Sequence, residues 1–155
     1  MELLRRIARW VATRPGLARI RPAVLASDKV LYRLTKGRVT VVGIAGMPSL
    51  TLTVKGRKTG QLRRIALLYV PDGADCLLVG SNWGGPRHPV WTANLIANPD
   101  AAVNIRGKSH DVHAYLLSSE ERAAIWPTLT RTWPVYDNYQ SQTGRELRVF
   151  RLIPK

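Results

Sequence analysis

Residues 50–70, LTLTVKGRKTGQLRRIALLYV, decide the fold of this chain. On each side of a central basic run, large apolar residues recur at every second position, which is typical of β-strands. Residues 56–61 are therefore predicted to join two strands as a hairpin. Gly56 and Gly60 bracket this connection, and glycine lets backbone N–H groups approach a bound oxyanion closely.

We call residues 56–63 the basic turn, because their cationic side chains are suited to binding an anion. Arg57 and Arg63 offer forked donors for phosphate or carboxylate, and Lys58 offers a point charge. The spacing of the glycines does not match a Walker loop, which also leads from a strand into a helix. The turn by itself therefore indicates either an anion site or a solvated basic surface.

The composition predicts one soluble globular domain. The chain has 155 residues, of which 45% are apolar and 22% charged, and this length supports a core without metals or disulfides. The net charge of +14 favours a polyanionic partner, which could be nucleic acid, anionic lipid or a phosphorylated cofactor. A single cysteine, Cys76, allows no internal disulfide and predicts a reducing cytoplasm.

The first 38 residues predict a basic helical segment, followed by a β-rich domain over residues 39–155. In the first helix, the apolar residues fall on one face and the arginines fall elsewhere, and Pro15 ends the pattern. The apolar residues of this face are Leu3, Leu4, Ile7, Trp10 and Val11. Such a helix either rests on a membrane surface or packs on the domain. No apolar stretch is long enough to span a membrane.

The remaining patterns predict an antiparallel, mainly β fold with peripheral helices. Strand-like runs occupy residues 39–44, 76–79, 101–105, 109–117 and 147–153. A capping box at Ser118 and Glu121 predicts the start of a helix, which Pro127 and Pro134 are expected to break into short pieces. His110 and His113 would face opposite sides of a strand, so we expect no metal site.

The loop over residues 80–89, GSNWGGPRHP, has the composition of a binding loop. Its glycines admit a flat ligand, and Trp83 offers a stacking face. Trp91 and Asn94 follow on a short predicted helix, with Asn94 expected on the side of Trp91 and Val90. The alternative is a core-facing tryptophan with an incidental asparagine.

The order and spacing of these motifs resemble the deazaflavin-dependent nitroreductase family, split β-barrel proteins that use coenzyme F420. The resemblance covers residues 39–154. It is carried by the basic turn, by Ser81 and Asn82 in the loop leading to Pro89 and Trp91, by residues 94–99, and by Trp133-Pro134 with Tyr136 and Tyr139.

The resemblance implies three groups of site residues. The phosphate and acidic tail of F420 would be held by Arg57, Lys58, Thr59 and Arg63. The ring and ribityl portion would be lined by Ser81, Asn82, Trp83, Trp91 and Asn94. Over the reactive face of the ring would lie Trp133, Tyr136 and Tyr139. Trp133 stands where nitroimidazole-reducing members have a tyrosine, which argues against that activity here.

The expected function is therefore hydride transfer from reduced F420 to a quinone or other electron-poor acceptor. We expect a cytoplasmic protein whose N-terminal helix contacts the inner face of an anionic membrane, with its oligomeric state open. The alternatives are a non-catalytic lipid or fatty-acid binder, or a barrel that holds flavin mononucleotide (FMN). Nucleic-acid binding is disfavoured, because the aromatic residues lie in a loop and a C-terminal helix instead of along strands.

Overall fold

The computed structural model describes residues 2–14 and 16–155. Its helices are α1 Glu2–Ala12, α2 Leu17–Thr35, α3 Val41–Ile44, α4 Val90–Ala97, α5 Ser119–Thr132 and α6 Val135–Thr143. Its strands are β1 Ser49–Lys55, β2 Leu62–Leu68, β3 Val70–Asp72, β4 Asp75–Val79, β5 Asp100–Ile105, β6 Lys108–Leu116 and β7 Val149–Pro154.

The seven strands form one antiparallel sheet in the order β2-β1-β5-β6-β7-β4-β3. β2 and β3 lie at opposite ends of this order, yet only Tyr69 separates them in the chain. The sheet must therefore curl until its two edges approach each other. At this corner the Tyr69 N–H donates to the Pro48 carbonyl at 3.1 Å. This curled sheet is the predicted split β-barrel.

The hairpin at the basic turn is confirmed. β1 and β2 pair from Ser49 with Leu68 to Lys55 with Leu62. Across the turn the Gly56 N–H donates to the Gln61 carbonyl at 2.8 Å. The register leaves residues 56–61 projecting beyond the barrel.

The core has two parts because successive residues of each strand face opposite sides. Leu78 of β4 and Phe150 of β7 are buried inside the barrel, where Trp91 packs with them. Their neighbours Leu77 and Val149 face outwards and pack under α5 and α6. The outer cluster includes Trp133, Tyr136 and Tyr139, which places these three aromatic side chains together as predicted.

The β-branched run over residues 39–44 is not a strand, contrary to the sequence pattern, because residues 41–44 form the helix α3. The Thr40 side-chain oxygen accepts from the Gly43 N–H at 2.9 Å, and Asp28 Oδ1 accepts from the Val41 N–H at 2.7 Å. These two caps satisfy backbone donors that only a helical turn directs towards them. Capping therefore overrides the β propensity of α3.

The helix α5 begins at the predicted capping box of Ser118 and Glu121 but continues through Pro127. Proline removes one backbone donor, and the carbonyl four residues earlier, at Ala123, loses its partner. Both residues lie on the exposed side of the helix, where water can take that bond. Pro134 does separate α5 from α6, as predicted.

The N-terminal helices pack on the barrel. α1 turns Ala8 and Ala12 towards the outer core cluster, and Arg5 Nε donates to the Gly46 carbonyl at 3.0 Å. The rest of the α1 surface carries exposed apolar side chains, namely Leu3, Leu4, Ile7 and Trp10. α1 ends at Ala12, and Pro15, the expected stop, lies outside the described residues. No helix in residues 2–14 or 16–155 is both long and apolar enough to cross a bilayer.

Candidate functional site

Two adjoining cavities lie against the barrel, one beneath the N-terminal helices and the loop over residues 80–89, and the other between the basic turn and α4. The first, which we call the apolar chamber, has a volume of about 320 Å³ and lies under α1, α2 and α6. The second, which we call the basic mouth, has a volume of about 470 Å³ and is lined by the basic turn and α4. Ile65 and Trp91 line both cavities, so the two adjoin at these side chains.

The basic mouth gathers cations that have no acidic partners in the part of the chain that the structure describes. Its charged lining residues are Arg57, Lys58, Arg63 and Arg64. All four side chains are exposed, and the ion pairs of the described chain lie elsewhere, on Arg151, His113 and Lys155. Thr59 lies beside them and accepts from the Gln61 N–H at 3.3 Å. These donors are therefore free to bind an anion.

The basic turn is held in place by α4. Asn94 is buried, and its Oδ1 accepts from the Arg57 N–H at 3.1 Å. Asn98 Nδ2 donates to the Lys55 carbonyl at 3.1 Å, from the end of the same helix. Asn94 shares the buried side with Trp91, but Val90 is 74% exposed and does not belong to it. The Asn94 amide thus points to the basic turn instead of the 80–89 loop.

The 80–89 loop has an unusual backbone. Asn82 and Trp83 have φ values of 48° and 58°, and Gly84 follows with 76°. Two adjacent non-glycine residues in this region are strained, because their Cβ atoms approach the following carbonyl oxygen. Ser81, Asn82 and Trp83 all line the apolar chamber. The strain therefore lies at the wall of the site, where sequence reasoning placed binding residues.

Arg145 holds this loop from across the fold. Its guanidinium donates to the carbonyls of Gly80 at 3.1 Å, Ser81 at 2.9 Å and Gly85 at 3.1 Å. It also contacts His88 Nδ1 at 3.1 Å. Burial and the nearby charges of Arg148 and Arg145 lower the pKa of His88, so the imidazole is neutral and accepts from Arg145. Sequence reasoning missed Arg145, because it lies about sixty residues after the loop and belongs to no motif.

Asn82 presents an acceptor that has no partner. Its Nδ2 donates to the Arg87 carbonyl at 2.8 Å, which leaves Oδ1 to face the other way. Asn82 Oδ1 is buried and accepts no hydrogen bond from the described residues. A buried acceptor without a donor costs about 1–3 kcal/mol. A ligand N–H in the apolar chamber would satisfy it.

Trp133, Tyr136 and Tyr139 form one wall of the apolar chamber. Burial, and to a smaller extent Tyr139, raise the pKa of Tyr136 far above its ordinary value. Burial also raises the pKa of Tyr139 to about 12, although the Trp133 side chain offsets part of that effect. Both phenols therefore stay protonated at neutral pH. They can orient an acceptor by donating hydrogen bonds, but they cannot act as bases.

The comparisons with known proteins identify the family. The model of the F420H(2)-dependent quinone reductase family matches residues 26–154. The chain belongs to this family. It is 34% identical to the F420H(2)-dependent quinone reductase Rv1261c of Mycobacterium tuberculosis over 151 residues, which cover 92% of this chain and 95% of that protein.

Two solved structures share the fold and about a third of the sequence. One is described as an F420-H2 dependent reductase (FDR-A), with a TM-score of 0.62, 34% identity, and coverage of 68% of this chain and 93% of that chain. The other is described as a domain-swapped dimer, with a TM-score of 0.64, 31% identity, and coverage of 82% and 96%. The predicted family, its split β-barrel fold, its oxidoreductase class and its cofactor F420 are therefore confirmed.

The site fits that cofactor by the chemistry of its donors. The basic mouth supplies unpaired cations for phosphate and carboxylates, and the adjoining chamber is largely apolar. The unpartnered Asn82 Oδ1 at the chamber wall lacks a donor of the kind that a heterocyclic ring can supply. Within residues 2–14 and 16–155, no group of three His, Cys, Asp or Glu side chains is placed to hold a metal ion.

Proposed function

We propose that this protein reduces a quinone, or another flat electron-poor acceptor, with reduced F420 as the hydride donor. The observation that carries the proposal is that the two cavities adjoin, with Ile65 and Trp91 in both linings. A cationic mouth without acidic partners meets an apolar chamber at Trp91. That combination suits a ligand with a polyanionic tail and an apolar ring. A lipid carrier would use the apolar chamber, but an acyl chain has no anionic group for the cations of the basic mouth to bind.

In this proposal the site residues have the roles that the family resemblance implied. Arg57, Lys58, Thr59 and Arg63 would hold the phosphate and the acidic tail. The ring and ribityl portion would be lined by Ser81, Asn82, Trp83, Trp91 and Asn94, with Asn94 acting mainly by fixing the Arg57 backbone. When bound, reduced F420 supplies a hydride.

The chain itself orients the acceptor and excludes water. Trp133, Tyr136 and Tyr139 close one side of the chamber, and their burial keeps bulk solvent away from it. The Tyr136 hydroxyl has no hydrogen-bond partner among the described residues, so it is free to donate to an acceptor carbonyl. A donor fixed in an apolar site stabilises the negative charge that develops on that oxygen.

The test is a fluorescence titration of the purified protein with oxidised F420 and, separately, with FMN. We expect F420 to bind tightly and FMN, which lacks the acidic tail, to bind much more weakly. Replacing Lys58 and Arg63 together by alanine should weaken F420 binding at least tenfold and leave the melting temperature unchanged, because both residues are exposed. The same double substitution at Arg38 and Lys108, which lie outside both cavities, is the control. Equal F420 binding by the two double variants would mean that the site is placed wrongly.

The two-part organisation is a further part of this proposal. Residues 1–38 form the basic helical segment, and residues 39–155 form the barrel domain that binds the cofactor. α2 contributes Leu17, Val24 and Leu25 to the chamber wall, so the helical segment completes a site that the barrel begins. A chain shortened to residues 39–155 should keep part of its F420 affinity and lose turnover. Full turnover by the shortened chain would contradict this division.

We also propose that the protein works in the cytoplasm with α1 on the inner face of an anionic membrane. Leu3, Ile7 and Trp10 are 70%, 49% and 57% exposed on the face of α1 that points away from the barrel. Arg14 lies over the Trp10 ring at 3.9 Å, which places a cation beside this apolar face. Apolar side chains flanked by arginines are typical of helices that bind anionic bilayers.

Sedimentation with lipid vesicles tests this contact. The protein should bind vesicles that contain phosphatidylglycerol and should not bind pure phosphatidylcholine vesicles. Ile7→Ser with Trp10→Ser should abolish binding, whereas Val30→Ser with Leu34→Ser, at exposed apolar positions of α2, should retain it. Equal binding by both double variants would refute the assignment to α1.

A further inference from the structure

One wall of the apolar chamber is a stripe along α2. Its members recur at spacings of three and four residues, which is one face of a helix. They are Leu17, Ile20, Arg21, Val24, Leu25 and Asp28. Asp28 is the single carboxyl group among the described residues that line the chamber, and it is only 8% exposed.

One of the two carboxylate oxygens of Asp28 has a structural role. Oδ1 accepts from the Val41 N–H at 2.7 Å and so caps α3. Oδ2 has neither a hydrogen bond nor an ion pair with any described residue. A purely structural cap needs one acceptor, which an asparagine would also supply. The second oxygen is thus available to a ligand in the chamber.

The surroundings of Asp28 favour its protonated form. Burial raises the pKa of this carboxyl, and the Val41 N–H offsets the rise only in part. The other titratable groups that line the chamber are Arg21, Tyr136 and Tyr139. Both tyrosines are neutral, and Arg21 lies seven residues earlier on α2, about 10 Å away along the helix axis. Among the described residues, no cation is close enough to Asp28 to lower the pKa of its carboxyl.

We propose that Asp28 is the proton donor to the acceptor, and that the α2 stripe is the wall against which a quinone lies. This inference rests on the proposed function. A quinone becomes a hydroquinone by gaining two electrons and two protons. The hydride brings both electrons and one proton to the ring system. The Asp28 O–H bond breaks to give the second proton to a quinone oxygen, and solvent then reprotonates the carboxylate.

Asp28 suits this step better than the aromatic wall does. A general acid works best when its pKa lies near the working pH. The phenols of Tyr136 and Tyr139 hold their protons too tightly, whereas burial raises the pKa of the Asp28 carboxyl towards neutral pH. The tyrosines would then position the acceptor, and Asp28 would supply the proton.

The test compares Asp28→Asn with wild type, using reduced F420 and menadione, a naphthoquinone. Asparagine keeps the acceptor for the Val41 N–H but has no acidic proton. We expect kcat to fall about 100-fold, the usual size of a general-acid contribution. Wild-type kcat should decline as pH rises through the carboxyl pKa, and the variant should lack that decline. Affinity for F420 and the melting temperature should stay unchanged. Asp111→Asn, at an exposed carboxyl, is the matched control.

A second measurement does not depend on turnover. In protein labelled with ¹³C-aspartate, the Asp28 carboxyl signal, assigned from Asp28→Asn, should move when menadione binds to the complex with oxidised F420. An unmoved signal, or a variant with wild-type kcat and pH profile, would overturn the proposal. Failure of the proposed function would look different, because wild type and variant alike would bind no F420 or leave menadione unreduced.

Discussion

Replacing Arg145 by methionine should cost cofactor affinity without unfolding the protein. Methionine keeps the length of the side chain but removes its charge and its hydrogen bonds to the 80–89 loop. The loop carries Asn82 and Trp83 in left-handed conformations, at about 1–2 kcal/mol of strain for each residue. The charged hydrogen bonds from Arg145 to the loop carbonyls oppose the release of this strain, and the substitution removes them.

The expected size of the effect follows from the contacts. Arg145 bonds three carbonyls, and a hydrogen bond from a charged donor contributes about 1.5–3 kcal/mol. Water can replace the bonds to Ser81 and Gly85, which are partly exposed, whereas Gly80 is buried. We therefore count only the bond to the Gly80 carbonyl. Its loss should shift the free energy between the closed and the open loop by about 2 kcal/mol in favour of the open loop. Since 1.4 kcal/mol is a factor of ten, the Kd for F420 should rise about 30-fold.

Two assays separate this effect from general destabilisation. Fluorescence titration gives the Kd for F420, and hydrogen exchange followed by mass spectrometry reports the opening of residues 80–89. The melting temperature should fall by no more than about 2–4 °C, because the loop opens locally. Arg131→Met, at an exposed arginine of α5, is the matched control.

The reasoning would be refuted by a variant that binds F420 as tightly as wild type while its loop exchanges faster. That result would mean that the strained conformation is not the one that binds. Unchanged exchange would refute an earlier step, because Arg145 would then not be what holds the loop. Arg145→Lys should give an intermediate Kd, since lysine keeps the charge but cannot reach three carbonyls with one planar group.

Three further outcomes are expected. Tyr136→Phe should lower kcat about 100-fold, the lower end of the cost of losing one donor to a developing oxyanion, and leave the Kd for F420 unchanged. An unchanged kcat would contradict the role given to the Tyr136 hydroxyl. Because the pKa of His88 lies below the ordinary 6.5, the folded protein should lose stability as pH falls from 6.5 towards that lowered value. In thermal unfolding, His88→Gln should flatten this pH dependence, whereas the control His110→Gln should not. Thr40→Ala should lower the free energy of unfolding by about 1 kcal/mol in urea, while Thr40→Ser should not.

The fold was predictable where its signals are local. The period of two around the basic turn identified β1 and β2, and the capping box at Ser118 identified the start of α5. The errors arose where a distant partner decides. Residues 39–44 were predicted as a strand from their β-branched composition. One of the two caps that make residues 41–44 helical is Asp28, and no local pattern reveals that Asp28 lies beside them.

The same distinction applies to the site. Arg57, Lys58 and Arg63 could be found from the sequence because one turn carries all three. The chamber could not be derived in that way, since its walls come from α2, β2, the 80–89 loop and α6. Tyr136 and Tyr139 were assigned to the site by the family resemblance. Arg145 and Asp28 contact residues far away in the sequence, and no motif in the sequence around them indicated a role.

The basic mouth and the acceptor end of the site are therefore held by different elements of the fold. This difference affects which properties of the site can change independently between relatives. The basic mouth is fixed by two hydrogen bonds, which Asn94 in α4 and Asn98 at its C-terminal end form with the backbone at the basic turn. The acceptor end depends on α2, whose stripe lines the chamber from Leu17 to Asp28. A substitution along that stripe can reshape the acceptor pocket without moving any residue that grips the anionic tail. We therefore expect acceptor preference to follow the sequence of α2, and cofactor affinity to follow the basic turn, α4 and the 80–89 loop.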